Sequence, residues 1–153
     1  MNKSPSTSIT VNKKARFDYY LEDEYEAGLV LLGWEVKSLR LGKVNLSDSH
    51  VIVKYGEAFL IGAQIQPLPT TALHSHPDAT RSRKLLLHRK ELNRLIGSVE
   101  RQGYTLVPLE LFWNHNCIKI RIALAKGKKT HDKRDTEKDR DWQRSRARIL
   151  KSR

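Results

Sequence analysis

TLVPLELFWNHNCIKIRIALAKG, residues 105–127, decides the fold. Its second half alternates without a break: Ile118, Ile120, Ile122 and Leu124 fall on one side of an extended chain, Lys119 and Arg121 on the other. A period of two marks a half-buried strand, because successive side chains leave a strand on opposite faces. The first half is rich in residues that favour strands, and Asn114-His115-Asn116 supplies turn chemistry between the halves. The stretch reads as an antiparallel hairpin with one face on a core and one in water. Cys117, set among apolar neighbours, reads as a small core residue.

The same pattern extends outward on the N-terminal side. From Arg16 onward, FDYYLED and YEAGLVLLGWEV read as strands, with Ala27-Gly28 inside a strand or at its bend. EVKSLRLGKV spaces Val36, Leu39 and Leu41 as a short helix would, with Gly42 as its stop. Two more strands are expected over 49–54 and 58–65, joined by a tight turn at Tyr55-Gly56-Glu57. Residues 67–80, with three prolines and two histidines, read as a loop. LLLHRKELNRLIGSVERQGY reads as a strand end running into a helix that places Leu92, Leu95, Ile96 and Val99 on one face and closes at Gly103. Several antiparallel strands with a few short helices predict a mainly β fold, a small closed antiparallel barrel of oligonucleotide-binding character.

The ends differ from this middle. Residues 1–14 are small and polar and read as a mobile arm, 15–126 as the barrel, and 127–153 as a basic tail. The 153 residues suffice for one domain with a true core. A single cysteine fits a reducing compartment. No run approaches the ~18 apolar residues of a membrane span and the N-terminus lacks an apolar signal centre, so a cytoplasmic, membrane-free protein is expected. Twenty-nine Lys and Arg stand against seventeen Asp and Glu, and residues 126–153 alone hold twelve basic and five acidic side chains. Such an excess points to a polyanion, of which nucleic acid is the commonest.

Catalysis leaves no matching trace. A nuclease with His74 or His76 as general base would need a second group at a fixed spacing, and the chain has no HExxH, no Gly-rich phosphate loop and no His-Cys cluster. The expectation is therefore no catalytic residue, no metal, no cofactor and no small-molecule substrate.

In the tail, Thr136 and Asp139 suggest a helix start. Acidic Glu137, Asp139 and Asp141 come early and basic Arg144, Arg146, Arg148 and Lys151 late, the order that suits a helix dipole. Trp142 and Ile149 are seven apart and share a face, with Leu150 beside them. With so few apolar groups the tail is expected to fold on binding.

Five ordered blocks carry a resemblance over nearly the whole chain: NKKARFDYYLEDEYEAGLVLLGWEVKSLRLGKVNLSDSHV, RSRKLLLHRKEL, GYTLVPLELFW, ALAKGKKTHDKRD and DWQRSRARILKS. Together they resemble the SsrA-binding protein family, also called small protein B. The resemblance implies a bacterial RNA-binding adaptor without chemistry of its own. Such an adaptor binds the tRNA-like part of transfer-messenger RNA and delivers it to stalled ribosomes for trans-translation. It also implies an RNA face around Glu26, Leu86 and His88. Without the resemblance, Glu26 would read as a surface strand carboxylate paired with a lysine, Leu86 as core and His88 as the first residue of a helix. Arg81, Arg83, Lys84, Lys126, Lys128 and Lys129 are assigned to phosphates. For the tail, the resemblance implies small-subunit rRNA as partner. His131, Asp132, Lys133 and Arg134 would lie at the decoding centre, with Trp142, Ile149 and Leu150 in the mRNA channel. Composition alone would make 131–134 a solvated linker.

Overall fold

The structure is a computed structural model that describes residues 7–74, 76–100, 104–128 and 130–151, with side chains for all of these except 72–74, 130–132, 135–136 and 148–151. In chain order the elements are β1 (Thr7–Val11), α1 (Lys13–Asp18), β2 (Tyr19–Leu29), α2 (Gly33–Arg40), β3 (Val44–Asn45), β4 (His50–Lys54) and β5 (Glu57–Ile61). These are followed by β6 (Gln64–Ile65), α3 (Pro69–His74), β7 (Arg83–Leu86), α4 (Arg89–Val99), β8 (Tyr104–Asn114), β9 (Cys117–Gly127) and α5 (Thr130–Lys151). Seven strands form one sheet in the order β1-β8-β4-β5-β7-β2-β9, with β8 also paired to β9, and β3 and β6 form a small second sheet.

The hairpin read from 105–127 is present as β8 and β9, paired from Tyr104 opposite Lys126 to Asn114 opposite Cys117 with one irregularity between Pro108 and Glu110. Ile120, Ile122 and Leu124 point into the main core with Leu106, Leu111, Leu60, Leu85 and, from α4, Leu92 and Leu95. The outer face of β9 changes character along its length. Lys119 and Arg121 meet solvent, but Ala123 and Ala125 are buried in a second cluster with Val107, Leu109 and Ala15 of α1. Alanine at both positions leaves room for a helix to lie on the sheet, so α1 covers this end.

That helix corrects the reading of residue 16 onward as strand. Asn12 starts α1, its side-chain oxygen accepting from the Ala15 N–H at 3.3 Å. Its amide donates to the Pro108 carbonyl at 2.9 Å, and its backbone N–H donates to the Leu109 carbonyl at 2.7 Å. One buried polar side chain thus caps a helix and ties it to β8. Residues 7–11, read as part of a polar arm, form β1 along the 110–113 end of β8.

Other differences are local. Cys117 is exposed at the start of β9 rather than buried. The loop expected over 67–80 contains α3, and Gly103 lies outside the described residues. Leu41 is exposed after α2, while Gly42 (φ +70°) gives the expected stop. Gly28 is not a bulge; the irregularity of β2 lies between Leu21 and Glu24. Gly28 sits opposite Leu86, whose Cβ would be 3.3 Å from any Cβ placed there, so its bareness makes room for that leucine.

Candidate nucleic-acid interface

The alternation that builds the core also fixes what lies outside it. Lys54, Glu57 and Phe59, Lys84 and Leu86, Gly28 and Glu26, and Lys119 and Arg121 all occupy strand positions of the parity opposite to the core residues. The ladders set them side by side. Lys54 faces Glu57, Phe59 faces Lys84, Leu86 faces Gly28, and Glu26 faces Arg121. One outer surface therefore crosses β4, β5, β7, β2 and β9.

Glu26 lies in its midst and is exposed. Asn114 donates to it at 3.3 Å and the Lys119 ammonium is 3.8 Å away. Arg121 is more firmly held: it bonds Glu110 at 2.8 Å, lies 3.9 Å from Glu24, and stacks 4.9 Å from the Phe112 ring centre. Loose cation–carboxylate pairs at a surface are worth little. Such a carboxylate can exchange a lysine for the N–H edge of a base, while the released cation meets phosphate. Leu86 is 52% exposed, and with Leu31, Val36, Trp113 and Ile118 it lines an apolar groove bordered by Lys119 and Arg40. His88 is exposed two residues later, at the N-cap of α4.

The residues assigned to phosphates divide. Lys84 belongs to this outer face, 3.7 Å from Glu57. Arg83 does not: it points inward, is 0% exposed, and every guanidinium nitrogen is engaged. Its Nε donates to Glu35 at 2.5 Å, and its terminal nitrogens donate to the Ala63 and Ala79 carbonyls. In RSRKLLLH the parity that faces Lys84 and Leu86 outward necessarily sends Arg83 and Leu85 in. Arg81 shares Glu35 from the other side and also donates to the Val30 carbonyl. Lys126 and Lys128 sit at the α1 end of the sheet. Lys126 lies 6.0 Å from the Tyr104 ring; Lys128 lies 5.2 Å from the Tyr20 ring and donates to the Arg16 carbonyl. Lys129 lies outside the described residues.

Glu35 is the buried charge that the sequence did not reveal: it fixes Arg81 and Arg83 beside the outer face. Burial alone would raise its carboxyl, but hydrogen bonds from Arg81, the Leu32 N–H and Arg83 outweigh it and hold the group below its ordinary value. Burial pulls the Arg83 guanidinium down, against the Glu35 hydrogen bond that raises it. A charge in EVKSLR on a short amphipathic helix gives no local hint that its partners lie 46 and 48 residues away. Lys119 and Arg121 were legible as outward positions and Asn114 as a turn residue, but nothing in the spacing put them beside Glu26.

The helix α5 begins at Thr130, six residues before the expected start. It is anchored to the body through Lys133, 3.2 Å from Asp18, and Arg140, 5.7 Å from the Phe17 ring centre. Arg134 is exposed and Trp142 is 68% exposed. His131, Asp132, Ile149 and Leu150 fall on the helix backbone, and their side chains lie outside the described ones.

A sheet with a cation-lined outer surface and an unburied basic helix beside it has the layout of a small polyanion-binding β protein. The comparisons make this specific: the chain matches the SmpB protein family across residues 9–152 and belongs to that family. The SsrA-binding protein of Alcanivorax borkumensis is 56% identical over 151 residues, covering 99% of this chain and 95% of that one. That of Thiobacillus denitrificans is 58% identical over 145 residues, 95% of this chain and 97% of the relative. A solved structure, described as "tmRNA-SmpB: a journey to the center of the bacterial ribosome", is similar with a TM-score of 0.66 and 44% identity. The match covers 79% of this chain and 85% of that one. Among the described residues, no helix is long and apolar enough to cross a membrane.

Proposed function

We propose that this protein is the RNA-binding adaptor of trans-translation. It binds the tRNA-like part of transfer-messenger RNA and brings it to stalled ribosomes in the bacterial cytoplasm. The observation that carries this reading is family membership over nearly the full chain, with relatives above half identical along it. The body is read as a closed antiparallel barrel of oligonucleotide-binding type. Its support is that β8 pairs with β4 on one edge and β9 on the other, so the ladder β8-β4-β5-β7-β2-β9 returns to β8.

The outer surface around Glu26, Leu86, His88, Lys84 and Lys119 takes the RNA. Lysines meet phosphates without regard to sequence, the Leu86 groove and His88 meet unstacked bases, and Glu26 accepts from base edges. Arg83 and Arg81 act indirectly, by fixing β7 against α2. Lys126, Lys128 and Lys129 lead into the tail. Residues 127–153 form a separate unit whose helix belongs in an mRNA channel left empty by the stall. There His131 to Arg134 lie at the decoding centre, and Trp142, Ile149 and Leu150 pack against rRNA. The adaptor positions RNA and performs no bond chemistry.

The test is a titration of the tRNA-like part of transfer-messenger RNA against the full chain and against a chain ending at Lys129, with duplex DNA in excess. Equal, competitor-resistant binding by both chains is expected. Absence of any preference for that RNA would make the surface a general nucleic-acid binder and overturn the reading.

A further inference from the structure

The outer surface does not stop at His88. Arg89, the next residue and the first of α4, donates from its guanidinium to the Gly56 carbonyl at 3.3 Å. This contact joins the N-terminus of α4 to the tip of the β4–β5 hairpin. Lys54 and Glu57 are directly opposed there, so only Tyr55 and Gly56 make the turn. Both have positive φ, +54° and +70°. A two-residue turn of this kind favours Asn-Gly or Asp-Gly, and a bulky side chain in the left-handed region is strained. Tyr55 is also 89% exposed, the most exposed large hydrophobic side chain among those described. A strained backbone and an aromatic ring in water do nothing for the fold. Strain that the fold does not use points to a site. Cations stand close by: the Lys54 ammonium lies 5.2 Å from the ring centre, Arg89 is bonded to the turn, and Lys84 of β7 lies 3.7 Å from Glu57 at the foot of the turn.

We infer that Tyr55 is a stacking platform for an unpaired base of the bound RNA, with Lys54 and Arg89 holding the flanking phosphates. The inference rests on the proposed RNA-binding role and extends the RNA face from Leu86 and His88 onto this hairpin. A ring on a rigid two-residue turn is already positioned, so stacking orders little that was free beforehand. Charge complementarity names the occupant: an exposed aromatic with a lysine against its ring and an arginine bonded to its turn suits a base and its phosphates better than an apolar protein partner.

The test compares the full chain with Tyr55→Asn and Tyr55→Phe in titrations of the tRNA-like part of transfer-messenger RNA, with excess duplex DNA and with thermal unfolding of each variant. Asparagine suits the positive φ, so Tyr55→Asn should unfold no earlier than the unsubstituted chain. It should nevertheless bind the RNA about tenfold more weakly, while Tyr55→Phe, which keeps the ring, binds as before. Equal affinity for Tyr55→Asn and the unsubstituted chain overturns the inference and leaves the functional reading standing. If the unsubstituted chain itself does not prefer this RNA to the competitor, the functional reading fails and the stacking role falls with it.

Discussion

The body and the C-terminal helix of this protein are built on opposite terms. In the body, side chains from seven strands and three helices meet in buried clusters, and even a charged residue such as Glu35 is closed in. The helix α5 is 22 residues long, yet most of its described side chains are exposed, and it meets the body through an ion pair at Asp18 and a ring contact at Phe17. The body's shape is determined by what it buries. The helix has a charge order that suits its dipole, and its described side chains offer the body few contacts.

Breaking the body should be costly. Glu35→Ala would leave two guanidiniums facing each other without their carboxylate, one fully buried, and should destabilise the fold by about 3–5 kcal/mol. Denaturant unfolding with a body reporter measures it. Leu95→Ala, at a wholly buried position of α4, should cost about 2–5 kcal/mol by the same measurement. Acid should act through the same buried pair. The native Glu35 carboxyl is held below its ordinary value of 4.5, so the unfolded chain takes up its proton first as pH falls. Its stabilising contribution is complete above the unfolded value, declines below about pH 4.5, and is lost as pH passes through the native value. Unfolding midpoints taken down this range should fall for the unsubstituted chain, with a shallower fall for Glu35→Gln.

Equivalent changes on the helix should barely register in stability. Asp18→Asn, which removes the carboxylate facing Lys133, should shift the body by about 0–1 kcal/mol at most. Salt should shrink even that effect. Trp142→Ala should lie within about 0.5 kcal/mol of the unsubstituted chain. A large loss from either would mean that the helix is a structural part of the body.

The same contrast explains what could be read in advance. The β8–β9 hairpin, α4 and the tight turn at Tyr55-Gly56 were legible because hydrophobic period and turn chemistry are local. The helix at 13–18 was missed because Asn12 caps it with help from Pro108 and Leu109, some 96 residues on. Arg83 was mistaken for a surface cation for a related reason. Its charge was visible, but the buried carboxylate that receives it comes from α2, 48 residues earlier in the chain. Leu86 and Glu26 were placed by resemblance, and the ladders explain why they lie on one surface. Tyr55 was legible as a turn residue, whereas its exposure and its bridge to Arg89 required the folded chain.

The central claim is that one chain carries two separable functions, RNA binding in the body and ribosome sensing in the helix. The most direct test is to measure, for full-length Trp142→Ala, both its affinity for the tRNA-like part of transfer-messenger RNA and its support of peptide tagging on stalled ribosomes. The account predicts unchanged RNA affinity with tagging abolished; loss of both in proportion, or tagging that proceeds as before, would contradict it.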